Sequence, residues 1–156
     1  GQGSFNFGMN KLNELGLTEL IKKKAIIKKT PILGICLGMQ LLAEHGYENI
    51  PTEGLGLIPG EVKKLYTKLK LPHIGWNEIK FSQKEDIILN IEDNKDFYFV
   101  HSYYFDCKNK EYIIASSNYG FKFPVIIKKE NIVGFQFHPE KSLSNGLKLI
   151  KNFLNT

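Results

Sequence analysis

The sequence contains no arginine. All 21 of its basic side chains are lysine, set against 16 carboxylates for a formal net charge of +5. A positive chain invites a nucleic-acid reading, but arginine is the residue that makes bidentate contacts to bases and phosphates, and its absence argues against one. The runs Lys22-Lys23-Lys24 and Lys28-Lys29 fall on the polar side of a helical pattern and read as a solvated face. Cysteine is scarce as well: Cys36 and Cys107 stand far apart without C-x-x-C spacing. That excludes a disulfide framework, suggests no zinc site, and makes a reducing, cytoplasmic setting the expectation. No apolar run approaches the ~18 residues of a membrane helix, and the start shows no signal-peptide pattern.

What remains is a globular chain of 156 residues, 42% hydrophobic and 12% aromatic, enough for one domain with a true core. Phe5, Met9 and Leu12 recur at helical spacing, and Leu17, Leu20, Ile21 and Ile27 suggest a second helix. Thr30-Pro31 breaks that pattern. "ILGIC" then reads as a short buried strand, and "LGMQLLAEHG" as a helix stopped by Gly46. From Gly54 the texture turns to β: "GEVKKLY", "FYFVHSYYF", "YIIASSN" and a hairpin-like "FPVIIKKENIVGFQF". "SNGLKLIKNFL" closes as a helix, with Leu147, Ile150 and Phe153 or Leu154 expected inward. The pattern predicts an α/β fold, an open mixed sheet flanked by helices, with an added antiparallel β region. The chain opens at Gly1 on a loop-like "GQGSF", which reads as the interior of a longer protein.

The chemistry concentrates at Gly34-Ile35-Cys36-Leu37-Gly38. Strand, G-x-C-x-G and helix make the cysteine version of a nucleophile elbow, in which small residues allow a strained turn. The helix start is expected to favour the thiolate, and the N–H of Leu37 to join an oxyanion hole. The other reading of Cys36 is a buried structural thiol. A thiolate nucleophile needs a histidine and an orienting acid. Of four histidines, His45 reads as a surface residue, and His73 and His101 follow β segments. His138 stands in "GFQFHPEKS", where Pro139 turns the chain so that Glu140 can reach back. Cys36, His138 and Glu140 form the one complete triad the sequence offers, and no spacing suggests a metal.

"GICLGMQ" with "FHPEK" resembles the class I (triad) glutamine amidotransferases. "GLGLIPG", "PHIGWN", "YFVHSYY" and "FQFHPEKS" resemble, in order, the glutaminase subunit of imidazole glycerol phosphate synthase, nearly end to end. The resemblance implies Cys36 as nucleophile, His138 as general acid and base, and Glu140 as orienting acid. It implies an oxyanion hole at Gln2, Gly3 and Leu37, where "GQG" matches a P-G-x-G loop lacking its proline. It implies glutamine contacts at Gln40, Glu48, His101, Ser102 and Tyr103, and a partner face at His73, Trp76, Asn77 and Lys141, with Trp76 on a loop. It implies no cofactor, and a heterodimer with a (βα)8-barrel synthase subunit that uses the ammonia in histidine biosynthesis. Relative to that family the opening strand–helix–strand is missing, so a single N-terminally truncated glutaminase domain is expected. Alternatives are a related subunit feeding ammonia to another acceptor such as a surface sugar, a hydrolase using the same elbow, and an inactive truncated scaffold.

Overall fold

The computed structural model describes residues 3–156. Helices α1 (Phe5–Glu14) and α2 (Leu17–Ile26) come first, joined through Gly16, whose positive φ of 65° turns the chain. Strand β1 (Ile32–Ile35) leads through Cys36 into helix α3 (Leu37–Leu41). Nine more strands follow among the described residues, with β2 (His45–Gly46), β3 (Thr52–Glu53), β4 (Gly60–Lys64), β5 (His73–Phe81) and β6 (Lys95–His101) next. Then come β7 (Tyr103–Cys107), β8 (Ile113–Asn118), β9 (Lys122–Lys129), β10 (Ile132–Phe135) and helix α4 (Leu143–Leu154).

Two sheets result. The larger has the order β1-β10-β9-β8-β5-β6, with β1 and β10 parallel and every other pairing antiparallel. The smaller has the order β3-β2-β4-β7 and is antiparallel except where β2 meets β4. Side chains alternate across a strand, so neighbours on β9 and β10 feed opposite faces. Ile126, Val133 and Phe135 join a core with Leu149 of α4 and the buried rings of Phe97, Phe99, Phe123 and Phe137. Ile127 and Ile132 join a second core with Phe5, Met9, Ala25 and Met39 from α1, α2 and α3. Helices on both faces of a mixed sheet are the expected α/β arrangement.

Several local expectations change. The helix after Cys36 ends at Leu41, because Glu44 N–H bonds the Gly60 carbonyl and the chain peels into the smaller sheet. "FYFVHSYYF" is two strands: β6 ends at His101 in the larger sheet and β7 starts at Tyr103 in the smaller. "PHIGWN" belongs to strand β5 and carries Trp76 on a sheet, where a loop was expected. Leu20, Ile27, Leu147 and Leu154 are exposed; α4 instead buries Gly146 and Leu149, follows the buried N-cap Ser142 and packs Phe153 against the core.

Gly146 allows α4 to lie directly on the turn after His138. A methyl group there would stand 1.9 Å from the Pro139 carbonyl oxygen. Alanine in a helix interior ordinarily gains about 1 kcal/mol over glycine, but a buried clash with backbone costs about 1–3 kcal/mol. Gly146→Ala is therefore expected to lose stability, by up to about 2 kcal/mol net, read from a urea denaturation midpoint. A wild-type midpoint would mean that the turn yields freely.

Candidate active site

Cys36 is the residue between β1 and α3, and its backbone is strained: φ 52°, ψ −108° for a side chain that is not glycine. The neighbouring geometry enforces this. A Cβ on Gly34 would lie 2.5 Å from the Gly38 carbonyl oxygen, so the helix can double back closely only over a glycine. Gly38 has open space where its side chain would be, and sterics do not require it. The elbow thus rests on Gly34.

The parallel pairing of β1 with β10 carries the partner residues to the same edge. Ile35 lies opposite Phe135, and Cys36 N–H donates to the Phe135 carbonyl at 2.7 Å. Three residues on is His138. Its N–H bonds the Tyr98 carbonyl at 2.9 Å, while Ser142 Oγ accepts from Tyr98 N–H and donates to the His138 carbonyl. Pro139–Lys141 forms a 3-10 turn that brings Glu140 Oε1 to 2.7 Å from His138 Nδ1. Burial acts to raise the Glu140 carboxyl, but the hydrogen bond from His138 helps hold it below the usual range. An ionised Glu140 accepts from Nδ1–H, which leaves Nε2 as the nitrogen able to take a proton.

A cavity of about 230 Å³ holds these groups together, lined by Gly3, Cys36, Leu37, Gln40, Glu48, Pro72, Val100, His101, Ser102, Tyr103, His138 and Lys141. Cys36 Sγ contacts the Val100 carbonyl at 3.7 Å. Glu140 sits behind His138. Gln2 lies outside the described residues. Glu48 Oε2 accepts the N–H of Phe5 at 2.8 Å and so ties the segment beginning at Gly3 beside Cys36. A larger cleft of about 550 Å³ near Lys29, Asp86 and Asn131 is lined by no cysteine and no histidine. Among the described residues no group of three or more His, Cys, Asp or Glu stands placed to hold a metal.

Two expectations change here. Cys36 is buried, and burial pushes its thiol above its ordinary value, with the Leu37 N–H offsetting only part. A five-residue helix inside the protein does not depress it as anticipated. His73 is turned inward: 2% exposed, its ring stacks on Phe99 and Tyr119 at centroid distances of 4.9 and 4.0 Å. Its side chain is no partner contact. Trp76 is half exposed and packs edge-on against Tyr98, with Lys141 Nζ 5.9 Å from the Tyr98 ring centroid. Sequence reasoning missed Gln136 and Ser142, both buried. A polar residue between Phe135 and Phe137 at the end of an apolar strand was the available signal, since such a group must find a partner.

His73 Nδ1 and His101 Nε2 are 3.0 Å apart, and burial lowers the two rings to about 4 and about 3. An unfolded chain takes up protons on both as pH falls below ~6.5, while the folded protein resists. Stability is then full above that value and is lost as pH falls toward the folded values. The expected slope is up to about 1.4 kcal/mol per pH unit for each ring. Denaturation midpoints at pH 7 and pH 5.5 check this, and equal stability at both contradicts neutral burial.

The sequence profile of the class-I glutamine amidotransferases matches residues 8–156. Similar curated proteins include "Imidazole glycerol phosphate synthase subunit HisH 1" of Campylobacter jejuni strain RM1221, 49% identical over 99% of this chain and 77% of that protein. Others are subunit HisH 2 of Methanococcus maripaludis, 47% identical over 99% and 77%, and subunit HisH of Leptospira borgpetersenii, 47% over 98% and 77%. Among solved structures, a glutamine amidotransferase aligns with a TM-score of 0.71 at 17% identity, over 98% of this chain and 74% of that one. A glutamine amidotransferase of Thermotoga maritima aligns at 0.68 and 19% identity, over 99% and 60%; at these identities the likeness concerns the fold alone. With a family profile spanning almost the whole chain and relatives near half identity, this chain belongs to the class-I glutamine amidotransferases.

Proposed function

We propose that the protein is the glutaminase subunit of an imidazole glycerol phosphate synthase, with Cys36, His138 and Glu140 as its triad. The observation that carries this reading is the triad geometry at one sheet edge in a chain 49% identical to a subunit of that name. Glutamine enters the cavity with its side-chain amide over Cys36. The thiol proton passes to His138 Nε2 and the sulfur attacks the amide carbon. The Leu37 N–H and the segment at Gly3 stabilise the resulting oxyanion. His138 returns the proton to the departing ammonia, then takes one from water, whose oxygen releases glutamate from the sulfur. Glu140 keeps Nδ1 protonated and stabilises the imidazolium.

Because Cys36 is not activated at rest by a depressed pKa, its selectivity comes from position. A glutamine-like electrophile should label Cys36 and spare Cys107, whose half-buried thiol is likewise raised and bonds the Asn109 carbonyl. Cys36→Ala should abolish turnover. Glu140→Gln, which removes no covalent partner, should lose less, on the order of 10⁴-fold. Equal loss in both folded variants, or labelling of Cys107, contradicts the assignment.

The ammonia is passed to a synthase subunit of the barrel type. The exposed face supporting this is apolar and close to the cavity: Ile74 and Trp76 on β5, 59% and 49% exposed, with Tyr98 and Lys141 alongside. Asn77, the remaining residue of the expected partner face, is partly exposed but points to the His73 side of β5, where its amide meets His73 and the Asn118 carbonyl. Glutaminase rates should rise on the order of a hundredfold with the liganded partner, equivalent to ~2.7 kcal/mol at the barrier. Trp76→Ala should weaken assembly while leaving Cys36 as reactive as before. Full activity without a partner, unchanged on its addition, contradicts the reading.

A further inference from the structure

We propose that Gln136 is a positioning residue for Cys36, its amide aimed at the sulfur by Gln40, which is itself held on the Tyr103 carbonyl where a buried relay from Asn77 through His73 and His101 also ends. The inference rests on Cys36 being the nucleophile, as above.

The direction of the relay follows from its ends. Asn77 Oδ1 accepts the Glu78 N–H at 2.9 Å, so Nδ2 is the end that meets the Asn118 carbonyl at 3.0 Å and His73 Nε2 at 3.2 Å. A carbonyl can only accept, so the tautomers have no choice. His101 Nδ1 carries the hydrogen that meets the Tyr103 carbonyl at 2.8 Å. His101 Nε2 then accepts, and His73 Nδ1 donates to it across 3.0 Å. His73 Nε2 is left to accept from Asn77. Both imidazoles are neutral, oriented and pointed the same way.

The Tyr103 carbonyl is the junction. It also accepts Gln40 Nε2 at 2.9 Å, and the same nitrogen gives its second hydrogen to Gln136 Oε1 at 3.1 Å. With its oxygen so engaged, Gln136 turns Nε2 toward Cys36 Sγ, 3.9 Å away. Gln136 is fully buried and does not line the cavity, so it reaches the sulfur from behind and cannot touch a bound glutamine. An N–H donor on sulfur favours the thiolate over the thiol and fixes the side chain against the Val100 carbonyl on its other contact. The role left for Gln136 is to hold the sulfur, ready to attack, in a site whose burial works against ionisation.

The test uses the intact protein, with its wild-type glutaminase rate in the presence of the partner measured first. Iodoacetamide alkylation of Cys36 is followed by peptide mapping as a function of pH, with Cys107 as the internal reference. Gln136→Met keeps the bulk and removes the donor. Asn77→Asp keeps the shape but leaves only an acceptor facing His73, which reverses both imidazoles and withdraws the His101 hydrogen from the Tyr103 carbonyl that holds Gln40. His138, Glu140 and Lys141, with Glu48 and His101 of the same cavity, are the titratable side chains around the sulfur and are retained in both variants. Each variant should shift the Cys36 profile to higher pH, with a roughly tenfold slower reaction at pH 7 for Gln136→Met and a smaller change for Asn77→Asp. Cys107 should not change. kcat should fall with KM for glutamine near the wild-type value, a split that general loosening of the fold would not give. A wild-type Cys36 profile in either folded variant overturns the proposal. Should Gln136→Met fail to fold, Asn77→Asp decides alone. A wild-type protein that alkylates at Cys36 but does not hydrolyse glutamine removes the functional reading and leaves the relay test standing.

Discussion

The active site depends on one short parallel pairing. Strands β1 and β10 are a hundred residues apart in sequence, yet their register sets Gly34 beside Gly134 and Ile35 beside Phe135. The next residues along each strand are Cys36 and Gln136, with His138 two further. A one-residue slip would turn every side chain on β10 to the other face and remove His138 from the cysteine. Both glycines serve the same contact. A side chain on Gly34 would meet the carbonyl of Gly38, and one on Gly134 would come within 2.7 Å of Met39 Cγ. Helix α3 can therefore sit on the strand pair only where both positions are bare. The strain at Cys36 is held by that packing on either side.

The same burial that fixes the nucleophile opposes its ionisation. Desolvation raises the Cys36 thiol, and the nearby N–H groups recover only part of this. Under the proposed function the triad resolves the conflict by timing. The proton leaves when the carbon to be attacked is in place, and His138 is the group beside the cavity that can take it. His138 is held at three points: Glu140 at Nδ1, Tyr98 at its N–H and Ser142 at its carbonyl. A base so constrained loses little freedom in the transition state.

What could be read from the sequence was what local chemistry decides. The elbow at Cys36 and the turn at Pro139 each occupy a few adjacent residues, and both stand where expected, with Glu140 reaching back to His138. What could not be read was decided by the other half of the protein. Nothing within "FYFVHSYYF" marks Ser102 as the point where the chain leaves one sheet for another, since alternation continues through it. "PHIGWN" carries a proline and a glycine, the usual signs of a loop, yet β5 pairs with β6 from His73 to Ile79. Once it is a strand, period-two alternation buries His73 and exposes Ile74. In α4 apolar residues lie at 147, 149, 150, 153 and 154, too nearly all round the helix to set its phase. The thiol was misjudged for a related reason: helix-end electrostatics is a sequence-level argument, and desolvation is not.

The size of the site bears on the division of labour. Roughly 230 Å³, most of it bounded by uncharged groups, suits one amino acid and falls below the ~300 Å³ at which pockets for larger ligands begin. A phosphorylated nucleotide acceptor would need more room and several cations facing inward. The lysines of "IKKK" and "IKKT" lie on α2 and the turn after it, and of the lysines only Lys141 borders the cavity. Lys141 also approaches the ring of Tyr98, beside Trp76 on the exposed face of the larger sheet. In the proposed function the amide is cleaved in a space that excludes the acceptor, and the wall of that space continues into an apolar surface. Under the proposed function this is the physical reason for a second subunit: ammonia is small and neutral enough to leave a site that its acceptor cannot enter.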